Sequence, residues 1–261
     1  MAAYIAVSAL SHEGLVREQN EDSLTVGPWT LCATVTTNPQ TLLFPLGPPC
    51  VVAVADGLGG HPGGEIASAL VARRLAASGP ALDGEESVRD ALQGCNQDVY
   101  AAAGGDPGLA AMGTTVAGLV LLADQAVVFN VGDSRVYRVG EGGSEDDGGG
   151  ALRRVSVDDS PPLPPGRRTT SVVTQTLGGS LGLTFVEPHV RSAPLAVGDR
   201  YLVCSDGLTD PVPDEELSAL LARPPEEAER ADGRAAFELW KAAIEAGGPD
   251  NITLALVRIV A

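Results

Sequence analysis

The sequence predicts an α+β fold of layered antiparallel sheets flanked by helices, and three observations predict it. Strand-like runs rich in β-branched residues recur along the 261 residues. Most of these runs are almost continuously apolar, which implies cover on both faces. The helical stretches come in tandem and late in the chain rather than alternating with the strands, which excludes the order of a parallel α/β sheet. Hydrophobic residues make up 44% of the chain, enough for one large core or two small ones. Aromatics are only 4%, so that core is built from small aliphatic side chains.

In chain order the strand-like runs are Tyr4–Leu10, Ser23–Val26, Val51–Ala55, Thr114–Leu122, Ala126–Val131, Arg135–Val139, Arg200–Cys204 and Ile252–Val260. A first helix is expected over Gly64–Ala77, with Ile66, Leu70, Val71 and Leu75 at helical spacing. A second spans Glu85–Ala103, with Val88, Leu92, Cys95 and Val99 on one stripe. A third opens with Pro225 and acids and ends at Gly247-Gly248, covering Pro225–Ala246. Three segments read as loops. Residues 27–50, bounded by Pro and Gly, have room for a hairpin. Residues 140–150 are an acidic, glycine-rich turn. Residues 157–171 are Pro-rich, cannot lie inside a sheet, and cover or border something.

A formal charge of −17 argues against nucleic acid or an anionic membrane as the main partner. It leaves an anionic substrate open, because screening over about 8 Å lets a bound metal outweigh distant carboxylates. Cys32, Cys50, Cys95 and Cys204 lack CxxC spacing, so a zinc site is not expected. Cys32 and Cys50 flank one insertion and have the option of pairing, but the reduced state is expected. The N-terminal stretch has no basic leader and enters a strand at once, and no apolar run approaches the roughly 20 residues of a spanning helix. A cytoplasmic protein without a membrane span is therefore expected.

The chemistry lies at the strand ends. The run "CVVAVA" stops at Asp56, and an acid at the mouth of a buried strand is costly unless something positive meets it. Asp56 is either a cap or turn residue or the holder of a cation. Glu21 and Asp22 precede Ser23–Val26, Asp133 follows "AVVFNVG", Asp206 follows "YLVCS", and Asp250 precedes the last strand. Each alone is ordinary turn chemistry. Together, if the strands stack, they must be protonated, dispersed or neutralised by cations, because each desolvated ion costs several kcal/mol. Oxygen ligands with no Cys and few His point to a hard metal, Mg²⁺ or Mn²⁺.

The set "VREQNED" (16–22), "DGLGGH" (56–61), "MGTT" (112–115), "VGDSR" (131–135), "CSDGL" (204–208) and "GPDN" (248–251) resembles the metal-dependent, type 2C protein serine/threonine phosphatases, above all their bacterial branch. The resemblance runs from about residue 4 to the end, which implies one catalytic domain over 1–261. It implies a four-layer αββα sandwich, two stacked antiparallel sheets flanked by helix pairs, with a two-metal centre at one end. It assigns Asp56 as the bridge between two Mn²⁺ or Mg²⁺ ions, Asp206 and Asp250 to one metal, and Glu21 with the Gly57 carbonyl to the other. Asp22 would partner Glu21, and Asp133 would help bind a third, weaker metal with Asp206. Arg17 would grip the phosphate through paired donors, and Asn251 would orient its neighbours. Thr114 and Thr115 begin a strand and carry no chemistry.

The implied reaction is hydrolysis of phosphoserine or phosphothreonine by a metal-activated water, without a phosphoenzyme, in a chain that has no Cys-x5-Arg loop. Phosphorylated proteins, among them a Ser/Thr kinase and its substrates, are the implied partners of a monomer. Some family members carry a His directly after the Asp-Gly pair, where this chain has Leu58. His61 stands three residues on and is expected to support the turn. Arg167 and Arg168 either meet substrate or balance local acids. Two other readings compete: a two-metal phosphodiesterase or nuclease, against which the charge speaks, and a catalytically weak or non-catalytic regulatory module of the same fold, against which the full set of acids speaks.

Overall fold

The computed structural model describes residues 3–59, 62–140, 152–163, 167, 169–222 and 228–261, with side chains left out for 228–231. His61 and Arg168, and with them the 140–150 loop beyond its first residue, lie outside the described residues. Two six-stranded sheets form, and every strand pair in them is antiparallel. The first has the order β10 (Leu152–Arg154), β9 (Arg135–Val139), β13 (Arg200–Cys204), β14 (Ile252–Val260), β1 (Tyr4–His12), β4 (Gln40–Pro45). The second has the order β12 (His189–Pro194), β8 (Gln125–Val131), β7 (Val116–Leu121), β5 (Cys50–Ala55), β2 (Ser23–Val26), β3 (Trp29–Cys32). A short ribbon pairs β6 (Gly113–Thr114) with β11 (Leu177–Gly178).

Alternation along each strand sorts its side chains between two cores. On β5, Cys50, Val52 and Val54 face the other sheet, while Val51, Ala53 and Ala55 face the helices α1 (Gly64–Ser78) and α2 (Glu85–Ala103). On β14, Ala255, Val257 and Ile259 enter the inter-sheet core. On its other face Ile252, Leu254 and Leu256 pack under α4 (Asp214–Leu221) and α5 (Ala228–Glu245). Three stacked cores therefore separate four layers, helices–sheet–sheet–helices, as expected. This double burial is why the central strands read as unbroken apolar runs.

The α2 stripe of Val88, Leu92, Cys95 and Val99 is buried as its spacing predicts. The α1 face is rotated from the expected one. Ile66 is 39% exposed, and the small residues Ala67, Ser68 and Ala72 let the helix sit close to β2 and β5. Gly247 and Gly248, both at positive φ, end α5 by returning their amides to Ile244 and Ala243. The expected start of that helix at Pro225 lies outside the described residues.

The segment 27–50 departs from a self-contained hairpin. Its first strand, β3, extends the second sheet beside β2, and its second strand, β4, extends the first sheet beside β1. One insertion thus supplies an edge to each sheet and straps the sandwich along one side. The run expected at Thr114–Leu122 breaks at Thr115, whose amide leaves the ladder to donate to the Asp56 carbonyl at 2.9 Å. All four cysteines are unpaired.

Candidate metal centre

Register brings the acids to one end of the sandwich. In the second sheet Ser23 stands opposite Ala55 and Val116 opposite Val131, so Asp22, Asp56 and Asp133 leave the same edge. In the first sheet Cys204 pairs with both Leu254 and Arg135, which places Asp206, Asp250 and the Arg135 turn at the matching edge. Ser205 then joins the sheets directly: its hydroxyl donates to Asp22 Oδ2 at 2.8 Å and also accepts from the Thr253 amide at 3.0 Å.

Backbone packing around the acids is tight. The Asp56 carbonyl accepts from the Thr114 hydroxyl at 2.7 Å and from the Thr115 amide, so these threonines hold the strand end in place. A Cβ on Gly57 would stand 2.5 Å from the Gly64 carbonyl oxygen and 2.7 Å from that of Glu21. Only glycine allows the turn after Asp56 to approach the start of α1 so closely. The Glu21 carboxylate lies over Gly64, and its backbone carbonyl accepts from Ser68 on the buried face of α1 at 2.6 Å. Asn251 acts as a clamp. Its Oδ1 accepts from the Glu21 amide at 2.8 Å, and its Nδ2 donates to the carbonyls of Glu13 (3.0 Å) and Gln19 (2.9 Å). Arg17 is half exposed at the rim, with its guanidinium against Gly59 and one nitrogen 2.7 Å from Asp250 Oδ2.

The acids converge on one end but not on one point. Among the described residues no three His, Cys, Asp or Glu side chains already form a metal-binding group. Their repulsion is relieved in part by Arg17, which meets Asp250, while burial and the neighbouring aspartates hold Asp56 well above the usual carboxylate range. Asp22 is fully buried, and its Oδ1 has no partner. These donors suit a hard divalent cation: all are oxygens, one lone-pair site is orphaned, and the crowded charge is of the sign that a cation offsets.

A family profile described as Protein phosphatase 2C matches residues 46–239, roughly three-quarters of the chain. The chain belongs to the protein phosphatase 2C family. It is 33% identical to the serine/threonine protein phosphatase PstP of Mycobacterium tuberculosis over 97% of its own length, but it spans only 45% of that relative. It is 32% identical to the serine/threonine phosphatase stp of Listeria monocytogenes, over 79% of this chain and 83% of that one. Among solved structures, the catalytic domain of PstP in complex with two manganese ions superposes with a TM-score of 0.74 at 30% identity. That match covers 99% of this chain and 100% of that one.

Within this 2C-family chain, Asp22 and Asp133 are each pushed up to about 7, mainly by burial and then by the charge of Asp206. Burial also raises Asp56, by a wide margin, and Asp206, with neighbouring aspartates adding to both. Burial, with Glu65, raises Glu21. The partial solvent access that Asp56 and Asp206 keep is outweighed by the dense protein around them. Because these folded-state values lie above the unfolded ones, the folded chain holds extra protons between about pH 4 and pH 7. Their stabilisation is present below that window and lost as pH rises through it. In chelator, the melting temperature is expected to fall from pH 5.5 to pH 8 by about 5 °C or more. A melting curve that holds or rises over that range would contradict this account.

Sequence reasoning missed the supports. Ser205 and Thr253 are inconspicuous in sequence. Asp158 and Asp159 look like loop acids, yet Asp158 binds Arg135 through both Nε and Nη2. Asp159 accepts from the Gly132 amide at 2.8 Å, from Gln175 Nε2 at 3.0 Å, and meets His189 Nε2 at 2.9 Å. The pair ties the Pro-rich segment to the turn that carries Asp133. That segment does border the acids: Ser160, Leu163, Thr169 and Thr170 line a narrow cavity with Asp133, Asp206 and Asp210. Arg167 is exposed.

Proposed function

We propose that the chain is a metal-dependent protein phosphatase acting on phosphoserine and phosphothreonine, with residues 1–261 forming one catalytic domain. The observation that carries this is the crowding of Asp22, Asp56, Asp133 and Asp206 at one sandwich end, delivered by strands of both sheets. Family membership and the names of the relatives support the same reading.

Asp56, Asp206 and Asp250 would hold one Mn²⁺ or Mg²⁺ ion, with Asp56 shared, and Glu21 with the Gly57 carbonyl would hold the other. Asp133 would serve a third, weaker ion beside Asp206. Bound there, such cations supply Lewis acidity and a water acidic enough to ionise near neutral pH. The protein's own part is positioning and charge. Arg17 swings from Asp250 to offer paired N–H donors to the phosphoryl oxygens. Asn251 holds the Glu21 amide and the 13–19 loop in register. Ser205 keeps one oxygen of Asp22 engaged and leaves the other without a partner. The partners are phosphorylated proteins, with a Ser/Thr kinase and its substrates the finer proposal. Of the described helices none is long and apolar enough to cross a membrane, and action in the cytoplasm is proposed. The −17 charge weighs against a polynucleotide diester substrate.

The test is hydrolysis of an aryl phosphate and of a phosphothreonine peptide after chelation, then after Mn²⁺ is restored. Activity should vanish in chelator and return with the metal. Hydrolysis indifferent to chelation would refute the proposal.

A further inference from the structure

The segment 177–186, "LGGSLGLTFV", carries no charge in a chain that is 20% charged. It leaves β11 through Gly178 and Gly179, both at positive φ, and then runs along α2. One helix face holds it by a polar ladder. Asn96 Oδ1 accepts from the Gly178 amide at 2.9 Å, and Asn96 Nδ2 donates to the Thr184 carbonyl at 2.7 Å. Tyr100 meets the Ser180 hydroxyl at 2.6 Å, Gln93 donates to the Val186 carbonyl, and Arg89 donates to those of Pro188 and Val190 at 2.8 Å each. Residues 89, 93, 96 and 100 share one helix stripe.

With the Thr184 and Val186 carbonyls turned toward the helix, the whole of 181–185 is left exposed. Leu181 is 87% exposed, Leu183 56% and Phe185 75%, while Val186 is buried. Single exposed apolar residues are ordinary, but three within five residues, on a backbone that α2 side chains hold at Gly178, Thr184 and Val186, form a fixed apolar ridge. The ridge starts close to the candidate site. A Cβ on Gly179 would stand 3.1 Å from Leu58 Cδ1, in the turn after Asp56, and the next residue of that turn, Gly59, lies under the Arg17 guanidinium. Leu181 is two residues from that contact, which puts its backbone at most about 7 Å further along the chain.

We propose that Leu181, Leu183 and Phe185 form a docking ridge for apolar side chains that flank the phosphorylated residue of a protein substrate. The inference rests on the phosphatase reading above and adds which substrates it selects. Recognition by an uncharged ridge is hydrophobic, so the preference should survive high salt, unlike one built on charge.

The experiment compares kcat/KM for two phosphothreonine peptides, one with Leu and Val around the phosphothreonine and one with Ser and Gly there. Aryl phosphate serves as the control that cannot reach the ridge. The natural chain is expected to favour the apolar peptide by about tenfold, at low and high salt alike. Leu181→Ser and Phe185→Ser, each made separately and each melting like the natural chain, should erase that preference and leave aryl phosphate turnover unchanged. Equal kcat/KM for the two peptides in the natural chain would overturn the proposal. So would equal losses on both peptides, or substitutions that dissolve a dimer in sedimentation while peptide kinetics stay the same. If aryl phosphate is not hydrolysed with Mn²⁺ present, the phosphatase reading falls, and the ridge as a substrate site falls with it.

Discussion

Asp206→Asn is expected to lower Mn²⁺-dependent phosphoester hydrolysis by roughly a thousandfold or more, with the chain still folded. Asp206 opens the short helix α3 (Asp206–Thr209) one residue after β13, where burial and the charge of Asp250 raise it above the usual carboxylate range. Asn keeps the shape and offers an amide to Asp56, but it lacks the negative charge that would draw a divalent ion between the two residues. The stability change should have the opposite sign. Asp206 adds to the charge that raises Asp22, Asp56 and Asp133, so removing it relieves the cluster. In chelator at pH 8 the variant should melt at or above the natural chain. Calorimetric titration should show weaker Mn²⁺ binding in parallel with the lost activity. A variant that retains activity, or one that simply unfolds, would sever the link between Asp206 and the reaction.

The second large effect concerns stability alone. Arg200 on β13 and Arg258 on β14 stand opposite each other in register. Asp232 of α5, 3% exposed, clasps both: Oδ1 lies 2.6 Å from Arg200 and Oδ2 lies 2.6 Å from Arg258. Burial pulls the Arg200 guanidinium below its usual value, and Asp232 pulls it back. Asp232→Ala would leave two facing cations largely cut off from water. Breaking a buried pair from one side costs about 3–5 kcal/mol, and a domain of this size should melt about 10 °C lower. Thermal melts with and without chelator check this, since the loss should be the same in both. A shift of only a degree or two would mean that water already solvates the arginines.

Much of the site was legible because strand ends are local events. An apolar run that halts at an acid beside glycine is visible at Asp56, Asp133 and Asp206, and the order of those halts pointed to the family. Arg17 shows the limit. Its type suggested phosphate binding, but only the folded chain brings it within reach of Asp250, 233 residues away. The orienting role expected of Asn251 finds a physical basis in the three bonds it makes to Glu21, Glu13 and Gln19. The insertion at 27–50 was unreadable because alternation says that a strand is half-buried, not which sheet receives it. Leu181, Leu183 and Phe185 would pass for a buried strand by the same pattern, and their exposure depends on the side chains of α2.

Composition and pattern alone determined the layered antiparallel architecture, the oxygen-rich, acid-lined character of the strand ends and the negative charge that argues against a nucleic-acid partner. Each of these depends on residue type and short-range period, which a chain carries whether or not it is folded. Tertiary structure decided which acids crowd together, which serine bridges the sheets, and which apolar side chains stay in water. Those outcomes depend on distances between residues far apart in sequence, and only the stacking of two sheets sets them.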